Sequence, residues 1–288
     1  MSPARHLPPF DIHGPSPASL PVFLSSPHSG DAFPQHFLDD VEVSPSALRP
    51  LGDGPLDKLY ACVCEEGVQL LGARFSRAVV DLNRAPDELA PEQLAAPRKL
   101  RVRVTEKVRL GLGVVPSRVN GQIIRRTPIT DDDLRQRLFG IHLPYHQAIE
   151  GALAALAGRF GHALLLDCHS MPSGIVRHAG RPVDIVIGDA YGASADPALV
   201  ELACSTFAAA GYLVRRNQPY AGGYVTRRHG EPARARSALQ IEVRRDLFMD
   251  ENTRELREDG CRVASTMREL VRRAGRLIID SRRSVAAA

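Results

Sequence analysis

The sequence has no tryptophan, and aromatic residues make up only 5% of its 288 positions. It therefore lacks the material for a surface that stacks successive bases, and no basic run matches a nucleic-acid docking module. Neither sign of charge is in large excess. The net value is +4, and the mostly arginine basic residues are scattered, with local clusters at 98–109 and 125–126. These absences argue against a nucleic-acid partner. No stretch approaches the roughly 18 uninterrupted apolar residues of a membrane-spanning helix. The opening residues, Met-Ser-Pro-Ala-Arg-His-Leu-Pro-Pro-Phe, lack the apolar centre of a signal peptide. Cysteine is scarce and odd in number, with five at 62, 64, 168, 204 and 261 and no zinc-ribbon spacing. The expectation is a protein of the cytoplasm with reduced, mostly buried thiols, no membrane partner and no nucleic acid. No feature specifies an oligomeric state.

What is present is an ordinary globular composition, 44% hydrophobic and 24% charged, on a chain long enough for a large core. Short apolar runs at 20–25, 68–73, 75–82, 162–168, 183–187, 212–215 and 238–243 read as strands. Helical spacing of apolar residues appears around Leu56, Leu59, Tyr60 and Val63, over 131–158, over 196–210 and over 252–274. Alternating strands and helices predict an α/β fold: a single three-layer α/β/α domain with a mixed, largely parallel sheet. Residues 1–19 read as a surface arm, 85–130 as a loop-rich insertion near the active site, and 284–288 as a tail.

Ligands of open α/β sheets gather beyond the carboxyl ends of strands. Four unusual polar clusters fall at such ends: His28 with Asp31, Asn83 with Arg84, His169 with Ser170, and Glu242. A catalytic metal site takes three protein ligands from His and Asp/Glu and keeps one position open. His28, Asp31 and His169 would supply them, and Asp167, on the same side of its strand as His169, would hold the second ring nitrogen of His169. Each histidine alone reads more readily as a turn or semi-buried residue than as a ligand; the combination at strand ends favours a metal. Cys168 faces the opposite side and reads as core. Glu242 lies within an apolar strand, where an unpaired carboxylate is costly. It suits a proton carrier beside an activated water, the competing reading being an ion pair with Arg244 or Arg245.

Arg84, with Asn83, offers a fork for a substrate carboxylate, and Arg77 is a second candidate anchor. In Asn217–Pro232, Gly222 and Gly223 would let backbone approach a ligand, with Thr226 and His229 as polar tips. The alternative there is a flexible connector. Ser26, Ser29 and Ser170 lack the Gly-x-Ser-x-Gly elbow of a serine nucleophile.

Taken together, Ser-Pro-His-Ser-Gly (26–30), Asp-Leu-Asn-Arg (81–84), Gly-Leu-Gly-Val-Val-Pro (111–116), Leu-Leu-Asp-Cys-His-Ser-Met-Pro-Ser (165–173), Asn-Gln-Pro-Tyr-Ala-Gly-Gly-Tyr-Val-Thr (217–226) and Leu-Gln-Ile-Glu-Val-Arg-Arg-Asp-Leu-Phe-Met-Asp-Glu (239–251) resemble the N-formylglutamate amidohydrolase family. That family is similar to the zinc carboxypeptidases and aspartoacylase. The resemblance implies hydrolysis of N-formyl-L-glutamate, a small dicarboxylate, to formate and glutamate late in histidine degradation. It implies one divalent metal, zinc or else cobalt, manganese or iron, on His28, Asp31 and His169. Glu242 would be the general base, and Asn83 and Arg84 the carboxylate anchor; beside these, Ser170 next to His169 is read from the sequence as a supporting residue. The chain departs from the broader His-x-x-Glu pattern at Asp31, whose shorter side chain demands a closer backbone approach. Another N-acyl amino acid or peptide as substrate, or a binding module without catalysis, would use the same scaffold.

Overall fold

A computed structural model describes residues 8–95 and 101–286, the side chains of 284–286 excepted. Residues 1–7 of the expected arm, the start of the 98–109 basic cluster and residues 287–288 of the expected tail lie outside the described residues. The centre of the fold is a seven-stranded sheet. In chain order its strands are β1 (Phe10–His13), β2 (Val22–Ser26), β3 (Gln69–Ala73), β4 (Ala163–Met171), β5 (Ile185–Gly188), β6 (Val214–Arg216) and β7 (Arg236–Arg244). Across the sheet they run β1-β3-β2-β4-β7-β5-β6. The four central strands β3, β2, β4 and β7 are parallel, so their carboxyl ends share one edge. β1 joins β3, and β5 joins β7, antiparallel. The sheet is mixed and mostly parallel, as expected.

Alternation along β4 sorts its residues to two cores. Leu164, Leu166 and Cys168 pack on one face, with the helices Leu56–Tyr60 (α1), Pro197–Ala209 (α4) and Gly260–Ala286 (α6). Ala163 and Leu165 pack on the other, with Tyr145, Ile149 and Leu153 of the helix Leu143–Phe160 (α3). Each fully buried side chain of this kind contributes about 1.5–3 kcal/mol. α3 continues from Asp131–Arg137 (α2) through one π turn at Leu138–His142. Thr130 caps α2 by accepting from the Asp133 N–H, and Gly161 ends α3 with φ +82°.

Three sequence expectations shift. Residues 75–82 form a buried turn rather than a strand: Val79 N–H donates to Ser76 and Asp81 N–H to Val114, so the backbone is satisfied without a ladder. The apolar side chains Ala78, Val79, Val80 and Leu82 are buried here all the same, which is why the run looks like a strand. Within the arm, Phe10–His13 adds an edge strand to β3. The last helix starts at Gly260 rather than Asn252 and runs through to Ala286, into the expected tail. In the 85–130 segment, Leu112 and Val114 carbonyls accept from Arg84 and Asp81, tying it to the strand-end loops.

Candidate active site

The sheet register builds the site. In the parallel ladder β4–β7, Gln240 lies beside Asp167 and Glu242 beside His169. All four side chains belong to the face opposite Leu166 and Cys168. β2 ends at Ser26, and the following turn brings the His28 ring to 4.8 Å from the His169 ring. All these polar side chains are buried: His28 at 3% exposure, His169 at 3% and Glu242 at 7%.

Among the described residues, one group of His, Cys, Asp and Glu brings a ligating atom from each member within 4.8 Å of the others: His28, Asp53 and His169. Asp53 was not singled out from sequence. It sits in Leu51-Gly52-Asp53-Gly54, between two short helical turns, and its N–H donates to the His28 carbonyl at 3.0 Å. An acid flanked by glycines was the available signal. Asp31, expected as the ligand, is exposed and borders a cleft with Asp57, Lys58 and Arg74. The reason is backbone docking. Ala32 N–H donates to the Arg74 carbonyl, and Ser76 N–H to that of Ala32. A Cβ on Gly30 would lie 2.3 Å from the Phe75 oxygen. The 30–32 segment is pressed onto 74–76, leaving the Asp31 side chain on the outside.

The tautomers follow from the partners. His28 Nε2 is 2.8 Å from Asp81 Oδ1, so that nitrogen donates. Its Nδ1 then carries a lone pair, is buried without a hydrogen-bond partner, and faces Asp53 Oδ2 at 3.3 Å. Two acceptors in a buried site repel unless a proton or cation lies between them. His169 Nδ1 meets the same Asp53 oxygen at 2.8 Å. His169 Nε2 lies 3.2 Å from Asp167 Oδ1 and 3.1 Å from Asn83 Nδ2. Both imidazoles thus point Nδ1 at Asp53; His28 Nε2 is hydrogen-bonded to a buried carboxylate, the outer support common to metal-binding histidines, and His169 Nε2 lies between Asp167 and Asn83.

The site is dense in buried charge. Four buried carboxylates, Asp53, Asp81, Asp167 and Glu242, outnumber the guanidiniums paired with them, Arg77 and Arg84 at Asp81 and Arg245 at Asp53. Burial pushes Glu242 up to about 7, with His169 opposing and Asp53 and Asp167 adding to the rise. Burial likewise raises Asp53, but the hydrogen bond from His169 and the adjoining His28 ring outweigh it and hold that carboxyl well below the usual range. His169 is desolvated, yet Asp167 and Asp53 keep its pKa well above that of a free imidazole. The orphaned His28 nitrogen, facing a buried carboxylate oxygen of Asp53, fits a divalent cation, so His28, Asp53 and His169 could hold one.

The other expected residues scatter into distinct jobs. Asn83 is buried; Oδ1 accepts from Val225 N–H and Nδ2 reaches His169. Arg84 Nε donates to the Leu112 carbonyl and Nη1 to that of Asn83. Arg77 Nε donates to Asp81 Oδ2 at 2.8 Å. Although desolvated, Arg77 is held more firmly protonated by Asp81, Asp53 and Glu242. Both arginines keep part of the side chain open, 14% for Arg84 and 16% for Arg77. Gly223 is needed for close approach, but to Asn83 rather than to a ligand: an added Cβ would sit 2.2 Å from Asn83 Nδ2. Gly222, at φ +119°, makes the turn before it.

Thr226 and His229 are not open to a ligand. They lie on the short helix Tyr224–His229 (α5), both buried. Thr226 Oγ1 donates to Asp167 Oδ2 at 3.1 Å. His229 stacks on His146. His146 Nε2 donates to the Leu82 carbonyl, so its Nδ1 must accept from His229 Nε2 at 2.9 Å. Burial, with repulsion from His142 and His229, lowers His146 to about 2, and burial with Arg228 nearby lowers His229 to about 4. Both are neutral in the fold, whereas in the unfolded chain each titrates near 6.5. Above that pH neither affects stability. Below it the unfolded chain takes up protons that the fold refuses, so stability falls with pH, by about 2 kcal/mol per histidine at pH 5. In urea unfolding without metal, the loss between pH 7.5 and 5 should be smaller for His229→Gln than for the parent. Equal losses would show that the pair is not held neutral.

A sheet whose carboxyl edge gathers paired imidazoles, buried carboxylates and a glutamate at raised pKa is the layout of a hydrolase. Similarity to known proteins gives the family. A sequence model of the family "N-formylglutamate amidohydrolase" matches residues 20–249. An N-formylglutamate deformylase of Pseudomonas aeruginosa is 32% identical over 240 residues, 81% of this chain and 83% of that protein. One of Pseudomonas putida is 30% identical over 237 residues, with the same coverage. A crystal structure of N-formylglutamate amidohydrolase from Ralstonia eutropha JMP134 superposes with TM-score 0.89 and 34% identity, covering 96% of this chain and 100% of that one. An Agrobacterium tumefaciens gene product shares the fold at TM-score 0.62 and 21% identity, covering 92% and 94%. The chain belongs to the N-formylglutamate amidohydrolase family and is a hydrolase acting on an amide bond.

Proposed function

We propose that this protein hydrolyses N-formyl-L-glutamate to formate and L-glutamate, with a divalent metal, zinc by preference, held by His28, Asp53 and His169. The observation that carries the reading is the convergence of His28 Nδ1, Asp53 and His169 Nδ1 beside Glu242, in a chain similar to deformylases over four-fifths of its length. A divalent ion there would supply Lewis acidity, making water a competent nucleophile near neutral pH and polarising the formyl oxygen. Glu242, with Oε1 held by Gln240 Nε2 at 2.7 Å, takes the proton of the attacking water and returns it to the departing amine. Asp81 and Asp167 keep both imidazoles turned with Nδ1 inward. Arg84 and Arg77 hold the substrate's carboxylates and set its register against Glu242.

Formate release from a panel of N-formyl and N-acetyl amino acids, before and after chelation, tests this. N-formyl-L-glutamate should be the preferred substrate, with activity lost on chelation and restored by Zn2+. Arg84→Ala should raise KM about tenfold or more with a smaller change in kcat. Chelator-resistant turnover would remove the metal from the reaction. Preference for an acetylated or uncharged substrate would move the activity to another amide, and an unchanged KM would remove Arg84 from the anchor.

A further inference from the structure

Asp53 has a demanding position for a loop residue. Its Oδ2 must stand where two buried imidazole nitrogens meet, yet residues 52–54 belong to no helix or strand. Something must hold the loop, and the bonds that do so converge on Arg245, a residue just past the end of β7. The residue is buried, 8% exposed. Nε donates to Ser170 Oγ at 3.0 Å, and Nη2 donates to the Gly52 carbonyl at 2.9 Å. The same Nη2 lies 3.5 Å from Asp53 Oδ1. Because Ser170 Oγ accepts from Arg245, its own proton is free for the Asp53 carbonyl, which it reaches at 2.7 Å.

We propose that Arg245 is the positioning residue for the metal ligand Asp53, fixing through Ser170 and Gly52 which carboxylate oxygen faces His28 and His169. The inference rests on the metal reading above. The planar fork is what the geometry uses: one guanidinium reaches a hydroxyl, a carbonyl and a carboxylate oxygen at once, which an ammonium cannot reproduce. With Oδ1 beside Arg245, the carboxylate is held against rotation and Oδ2 is the oxygen presented to both Nδ1 atoms. Arg254 also donates to the Gly52 carbonyl, at 3.0 Å, but has no hydrogen bond to Ser170 or Asp53. It is the natural control. Glu242 and Arg245 are three residues apart on one strand end, so a single element sets both the proton carrier and the register of the ligand.

The test is metal affinity, read by competition with a chromophoric chelator for Zn2+ and by the visible spectrum of the Co2+-loaded protein. Circular dichroism and melting without metal check the fold of each variant. The parent should bind one equivalent. Arg245→Met should bind about 10–100-fold more weakly, with a changed Co2+ spectrum, the scale typical of lost outer support. Arg245→Lys should fall between, and Arg254→Met should stay within about threefold of the parent. Parent-like affinity and spectrum in folded Arg245→Met would overturn the proposal. If both Arg245 variants fail to fold, Ser170→Ala decides: weaker Zn2+ binding supports the clamp, and unchanged binding overturns it. A parent that takes up no metal would overturn the metal reading itself, and the clamp with it.

Discussion

Replacing Glu242 with glutamine is expected to lower kcat for formate release by about 10²–10⁴-fold, the usual contribution of a positioned general base, with bound metal unchanged. The substitution preserves shape and the contact with Gln240, so the packing of β7 should survive. It removes the ability to accept a proton. Glu242 is suited to that task by location: buried beside His169 in the ladder, with burial and the neighbouring carboxylates raising it to about 7. A base whose pKa lies near the working pH gives the best compromise between being ionised and being basic. Steady-state kinetics together with metal analysis of the purified variant separates the outcomes. Near-normal kcat would take Glu242 out of the base role, and loss of metal along with activity would make it part of the ligand set.

The second large effect distinguishes two acids. Asp53→Asn should reduce metal affinity by more than the roughly 100-fold upper range of outer-support changes, because it removes the anionic ligand itself. Asp31→Asn should leave metal content and turnover close to the parent, since Asp31 lies exposed on the rim. Metal analysis after dialysis against a weak chelator reads both. The reverse pattern, with metal lost from Asp31→Asn and kept by Asp53→Asn, would return the ligand to the turn that follows His28. The physical basis of the expectation is the lone pair on His28 Nδ1, which faces Asp53 Oδ2 at 3.3 Å. Exchanging the carboxylate for an amide lowers the charge in the site and weakens the case for a cation there.

Much of the architecture can be read from local pattern. β4 opens on an unbroken apolar run, Ala163 to Leu166, and all nine of its residues are buried. β7 is buried from Ser237 to Val243, with Leu239, Ile241 and Val243 alternating with Gln240 and Glu242, so both central strands are legible without a partner in view. The run 75–82 misleads because burial alone makes it apolar; its backbone finds carbonyl partners in Ser76 and Val114 rather than in a neighbouring strand. Helix α6 shifts for a different reason. Its early apolar residues Val263 and Met267 do follow helical spacing, but 252–259 are taken up by turns around Asp250.

Alternation within a strand is set by covalent geometry alone, and it is what the sequence by itself determined about the site. Asp167 must share a face with His169, and Gln240 with Glu242, whatever surrounds them. The helix after Gly223 and the choice of acid lie beyond that rule. Which carboxylate meets the two histidines depends on how separate loops close over the sheet. Residues 30–32 dock on 74–76 and turn Asp31 outward, while the His28 carbonyl, Ser170 and Arg245 draw Asp53 inward. Thr226 and His229, polar and next to glycines, have the composition of ligand contacts. Only the packing of α5 against β4 and α3 makes them supports for Asp167 and His146. Faces follow from the two-residue repeat of a strand, but contacts between loops depend on the long-range docking that the repeat does not encode.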